Sequence, residues 1–196
     1  MSTAKLFDNN THQRTQTISK APATLELLDD DGVTHINLWI NGRTRLGKML
    51  AHFYESPFVH PYFGPFNSME GFWHYIQNKE RDDALRSLSN MAAKNYAKGM
   101  TWCRVEDFHK IIMAANYYKI EQNLEMKKLF MESTLPFDYY YLHIATGDAE
   151  GQGGVVIRPS GYQWLVEGFE EIRTMMQFDE RPEAIDYVKI FQSVKS

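Results

Sequence analysis

Cysteine is almost missing from this chain: Cys103 is the one thiol in 196 residues. A disulfide framework and a Cys-based zinc site both need more, so neither can form within the chain. The seven histidines never fall in a His-x-x-x-His or His-Glu-x-x-His pattern, which argues against a zinc hydrolase. No apolar run approaches the roughly 20 residues needed to cross a bilayer, and no apolar stretch follows the start as in a secretory signal. There is no Gly-x-Ser-x-Gly elbow and no Gly-Lys-Ser phosphate loop. Positive charge is also short: 21 Lys and Arg face 25 Asp and Glu, for a net charge of −4. That balance opposes a generally nucleic-acid-coating surface and leaves room for a local cationic patch. The expectation is a soluble protein of a reducing compartment, cytoplasmic, without a membrane role.

What the chain does have is a normal globular composition, 43% hydrophobic and 23% charged, with 14% aromatics. That is enough for one core of ordinary size. Residues 1–20 are polar and lack an apolar period, so they read as a flexible arm preceding a single domain over 21–196. "TLELLDDDGVTHINLWINGRT" alternates apolar and polar residues around Asp31-Gly32 and Asn41-Gly42, which predicts a small antiparallel unit near 24–46. From Ser68 onward the periods are mainly helical. The spacing predicts a helix from Asn67 or Ser68, and another through "ALRSLSNMAAKNYAKGM" broken near Ser89-Asn90. An amphipathic helix follows, with Val105, Phe108, Ile111, Ile112 and Ala115 on one side, then a short one over "LEMKKLFMEST". "FDYYYLHIA" reads as a strand. Ser160 and Gln163 have capping-box spacing, and Pro182 suits the first turn of a last helix. The predicted class is α+β, a single mainly helical domain with a small antiparallel sheet.

Two places could carry chemistry. In "PFNSMEGFWHY", helical geometry puts Met69, Phe72, Trp73 and Ile76 on one face, with Glu70, His74 and Gln77 along its border. A carboxylate in so apolar a setting can have a raised pKa and act as acid or base. Equally, a Glu near an N-cap Ser is favoured by the helix dipole alone. The second place is "GDAEGQGG", Gly147 to Gly154, whose amides could wrap a phosphate with Arg158 as cationic clamp. Asp148 and Glu150 are the acids that such a loop would bring to a ligand. Trp102 stands near a helix start, as a core residue or as a stacking platform. Cys103 beside it reads as packed rather than nucleophilic.

In order along the chain, these segments resemble the NADAR family, known for N-glycosidases and ADP-ribosyl-removing enzymes. "LAHFYESPF" is similar to its Leu-Ser-Asn-Phe-Tyr-x-Ser-Pro-Phe opening, and "FNSMEGFWHY" to its aromatic-x-Ser/Thr-Ser-Glu-His-Tyr segment. "SNMAAKNYAKG" resembles its Ser-Pro-x-x-Ala-x-x-x-Gly helix. The stretch from Trp102 to Thr134 resembles its Trp-x-x-Val-x-x-x-x-Met-x-x-Ala-x-x-x-Lys-Phe segment and the helix after it. "GDAEGQGG" stands where an Asn-Asp-x-x-Trp-Gly motif falls, and "GYQWLVEGFEEIR" resembles the closing Gly-x-x-Leu-Met-x-x-Arg helix. The likeness spans about residues 46 to 175.

The resemblance implies catalytic roles for Glu70, Trp102 and Asp148. It implies ligand contacts at His52, Phe53, Tyr54, His74, Gly147, Gly151, Gly153 and Arg158. The implied reaction is hydrolysis of an N-glycosidic bond, in ADP-ribosylated nucleic acid or in a small ribosylated nucleotide, with no metal and no cofactor. Ala51, His52, His74 and Gln77 stand where the family has Ser, Asn, Gln and Lys, and no Trp follows Asp148 at the expected place. These replacements motivate a second expectation: a catalytically inactive relative that binds an ADP-ribose-type nucleotide, or docks a protein partner through the aromatic strand and the last helix.

Overall fold

The computed structural model describes residues 26–143 and 154–193. The element order is α1 (Glu26–Asp30), β1 (Ile36–Asn37), α2 (Arg45–Leu50), β2 (Glu55–His60), β3 (Gly64–Ser68) and α3 (Met69–Gln77). A 3-10 turn at Asp83–Ser87 leads to α4 (Asn90–Ala97), α5 (Phe108–Gln122) and α6 (Leu124–Glu132). Then come β4 (Phe137–Asp138), β5 (Tyr141–His143), β6 (Val155–Ile157), a second 3-10 turn at Ser160–Tyr162, α7 (Gln163–Gln177) and α8 (Tyr187–Ser193). The class is α+β and mainly helical, as expected. The sheet is three separate two-stranded ladders: β2–β3 and β5–β6 antiparallel, β1–β4 parallel.

Helix α5 is the centre. Seven consecutive residues from Ile111 to Tyr117 are buried, so it is enclosed on every side rather than amphipathic. Val105 is buried too, but lies before the helix begins. One side of α5 meets a core rich in aromatics, with Phe58, Phe63, Phe66, Phe72 and Tyr75 from β2, β3 and α3, closed by Ile190 and Phe191 of α8. Met113, Tyr117 and Ile120 meet a second core with Leu46, Met49, Phe130, Phe137 and Phe169. Among the described residues no helix is long and apolar enough to cross a membrane.

Several expectations need correction. Residues 24–46 do not form an antiparallel unit; Ile36–Asn37 pairs in parallel with Phe137–Asp138, 101 positions on. Side chains take over the local backbone partners there. The Asp31 carboxylate accepts the amides of Asn37 (2.9 Å) and Arg43 (2.5 Å), and Asn37 Oδ1 accepts the Tyr140 amide. Thr44 caps α2 by accepting from Gly47. The predicted strand over "FDYYYLHIA" is two short ones, β4 and β5, with Tyr139 and Tyr140 between them. The Ser160 capping box does not form, because Ser160 lies inside the 3-10 turn and α7 starts without a side-chain cap. Pro182 precedes α8 by five residues and is not in its first turn. The arm at 1–20 lies outside the described residues.

Candidate functional site

Strand β3 runs directly into α3, with Ser68 at the junction. Its hydroxyl accepts the Gly71 amide at 3.0 Å and donates to the Leu88 carbonyl at 2.9 Å. At Gly71 a Cβ would stand 2.3 Å from the Leu85 carbonyl oxygen, so only glycine lets the 3-10 turn close on the helix start. Glu70 thus projects from a clamped helix end. A first-turn amide has no acceptor within its own helix; that of Glu70 donates to the His52 carbonyl at 3.0 Å.

One turn later His74 Nε2 lies 3.0 Å from Glu70 Oε1. The Glu70 side chain is 13% exposed, so the stripe bordering the aromatic face lies within the protein and not in solvent. A ring nitrogen facing a carboxylate is the donor. The other ring nitrogen, Nδ1, is buried and without a hydrogen bond among the described residues.

Trp102 reaches the same place through backbone pairing. Lys79 N–H donates to the Thr101 carbonyl (3.0 Å) and Cys103 N–H to that of Gln77 (2.9 Å), so 101–103 runs beside the end of α3. The indole stands edge-on to His74 with centroids 5.4 Å apart. At 51% exposed it is no core residue. Cys103 beside it is half-buried, its thiol pushed up by burial and directed at the Gln77 carbonyl, as a packed cysteine would be.

The 51–54 turn forms the third side. His52 packs against Trp73 (5.6 Å) and its Nε2 accepts from Asn116 Nδ2 at 3.2 Å. Burial, aided by the nearby Lys119 ammonium, pushes its imidazole down to about 3, so it is a neutral acceptor. Phe53 lies under the Lys94 ammonium, 5.8 Å from its ring centre. Tyr54 is half-buried against the second core.

The aromatic face beside Glu70 extends beyond α3 into a wall drawn from distant segments. Trp73 lies nearly parallel to Trp164 (6.0 Å, 22°) and to Tyr162 (6.2 Å, 29°), and Trp164 stacks on His109 at 3.9 Å. Tyr139 meets Tyr162 edge-on. Burial pushes the Tyr162 phenol up, with the Glu70 carboxylate adding to it. Tyr139 is pushed up by burial, then by Tyr162, Tyr141 and Glu70. Both hydroxyls therefore stay protonated donors within electrostatic reach of the acid. Trp73 belongs to the face read from the sequence; Tyr139, Tyr162 and Trp164 join it from segments more than sixty residues away, which no local spacing reveals.

Arg158 follows β6 and is already engaged: it grips Asp138 with two hydrogen bonds, 2.5 and 3.2 Å. Those bonds use Nε and Nη2, two of the five N–H donors of a guanidinium. Gly147, Asp148, Gly151 and Gly153 lie outside the described residues; they connect β5 to β6, whose Tyr141 influences both Tyr139 and Tyr162. Among the described residues no three His, Cys, Asp or Glu side chains are grouped to hold a metal ion. A cavity of about 430 Å³ does exist, between α5, α7 and residues 180–190, but none of the candidate residues lines it. The structure thus gathers Glu70, His74, Trp102 and His52 at one place, and pairs Arg158 with Asp138, the residue before Tyr139.

No family model matches the chain, and no curated protein matches it. Among solved structures, the NMR structure of the Escherichia coli protein YbiA is similar, with a TM-score of 0.52 over 79% of this chain and 95% of that one. Identity is 15%, so the likeness is one of architecture. The chain has a NADAR-like fold.

Proposed function

We propose that the protein is an N-glycosidase in which Glu70 acts at the sugar carbon. The observation that carries this reading is the Glu70 carboxylate: nearly buried, hydrogen-bonded to His74, and backed by Trp73, Tyr162 and Tyr139. Breaking an N-glycosidic bond builds positive charge on the ribose ring as the base leaves. A carboxylate held by one histidine donor can stabilise that charge or orient the attacking water with its second oxygen. The neutral phenols of Tyr139 and Tyr162 can donate hydrogen bonds to the departing base or the sugar, and the half-exposed Trp102 offers a face for a planar ring. Asp148 is assigned to proton handling and the Gly147–Gly154 loop to the phosphate. Substrates of this chemistry are ADP-ribosylated bases in nucleic acid or small ribosylated nucleotides.

The test is turnover of an oligonucleotide bearing ADP-ribosylated guanine and of a ribosylamino-pyrimidine phosphate, followed by mass spectrometry. Glu70→Gln should fold normally and lose roughly 10²–10⁴-fold in rate. Unchanged turnover in that variant would remove Glu70 from the chemistry. Calorimetry showing tight binding of intact ADP-ribose, with no product from any substrate, would make the protein a binder instead.

A further inference from the structure

Beneath the 51–54 turn, α5 presents two polar side chains in the core. Lys119 is completely enclosed, and its ammonium donates to the carbonyls of Leu50 and Ala51, each at 3.3 Å. Among the described residues no carboxylate lies within ion-pair distance of it. Asn116, one turn earlier and equally enclosed, gives its amide to the Ile112 carbonyl (3.1 Å) and to His52 Nε2 (3.2 Å). A buried ammonium without a counter-ion costs stability, and a methionine would fill the same space. What the lysine adds is a donor that reaches two successive carbonyls at the end of α2. Ala51 is also the acceptor for the Tyr54 amide at 3.1 Å, which closes the turn. The next carbonyl along, that of His52, receives the Glu70 amide.

Three consecutive residues, 50 to 52, are therefore held from below by α5 and hold the start of α3 from above. We propose that Lys119, seconded by Asn116, is a positioning residue for the Glu70 carboxylate, acting through the 50–52 backbone. This rests on the reading of Glu70 as the acting acid. Burial, with no carboxylate nearby among the described residues to offset it, pushes the Lys119 ammonium down to about 7. The lysine touches neither substrate nor water in this role; it fixes where the carboxylate stands.

The test compares wild type with Lys119→Met by amide-resolved NMR and by kinetics on the two N-glycoside substrates above. In the variant the Glu70 and His52 amide resonances should move and the Glu70 amide should exchange faster, roughly tenfold, while α8 amides stay unchanged. Turnover should fall about 10- to 100-fold in kcat with KM within about twofold, as expected for a misplaced acid rather than a lost binding contact. Should Lys119→Met fail to fold, Lys119→Gln, which keeps a donor but cannot reach both carbonyls, is read in its place. A folded variant whose Glu70 amide is unmoved and as well protected as in wild type overturns the proposal. If wild type cleaves neither substrate, the reading of Glu70 falls, and the amide measurement alone still decides whether Lys119 positions it.

Discussion

At the scale of single residues, the proposed reaction turns on the pair Glu70–His74. The resembled pattern has Gln where His74 stands, and the geometry explains how both can serve: each offers one N–H to Glu70 Oε1 from a position four residues on. His74→Gln should therefore keep turnover within about tenfold of wild type. His74→Ala, which removes a hydrogen bond to a charged group worth about 1.5–3 kcal/mol, should cost roughly 10- to 100-fold. Steady-state rates for the two variants side by side check this; equal losses would show that the imidazole does more than donate. The placement of Glu70 was legible in the sequence, because its signal is local: an acid beside an aromatic face. The groups that hold it were not. The His52 carbonyl lies 18 residues upstream, and a backbone acceptor leaves no mark in the letters. Lys119 did leave one, since it falls four residues after Ala115 and seven after Ile112, on the very stripe read as apolar.

At the scale of elements, the start of α3 shows which features local sequence determines. Ser68 caps the helix and the broken helix at Ser89-Asn90 is real, with a 3-10 turn before the break and α4 after it. Such punctuation depends on residues three or four apart. The error at 24–46 has the opposite origin: Asp31 and Asn37 spend their side chains on backbone groups, which frees Ile36–Asn37 to pair with a strand a hundred positions away. Alternation alone does not reveal a distant parallel partner. The same element logic gives a prediction at Gly71. With a Cβ 2.3 Å from one backbone oxygen and 2.8 Å from another, Gly71→Ala must push the 83–88 segment off α3. Chemical denaturation should show a loss of about 1–3 kcal/mol, the usual cost of overpacking; an unchanged midpoint would mean that this contact is soft.

At the scale of the whole molecule, the C-terminal helix is tied to the aromatic core through a buried histidine. His60 accepts the amides of Tyr62 and Phe63 at Nδ1 and meets the Tyr187 hydroxyl with Nε2 at 3.2 Å. Burial pushes it down to about 4 from the ordinary 6.5. Between those values the unfolded chain binds a proton that the folded chain refuses, so stability falls as pH drops from 6.5 toward 4, by about 3.5 kcal/mol in full, at about 1.4 kcal/mol per pKa unit. His52, pushed lower still, adds loss of the same sign over a window reaching about 3. Urea midpoints between pH 6.5 and 5 should thus decline in wild type, and His60→Gln, whatever its absolute stability, should roughly halve the slope. A parallel slope in the variant would contradict the assignment.

The enclosure of α5 has one more consequence, in time rather than in space. A helix shared by both cores, with no face toward water, can exchange its amide hydrogens only when the whole fold opens. Its amides from Ile111 to Ile120 should be the last in the molecule to take up deuterium. The two polar side chains beneath the 51–54 turn, Asn116 and Lys119, are thereby mounted on the slowest-opening part of the protein, while Trp102 rides on a segment open to solvent.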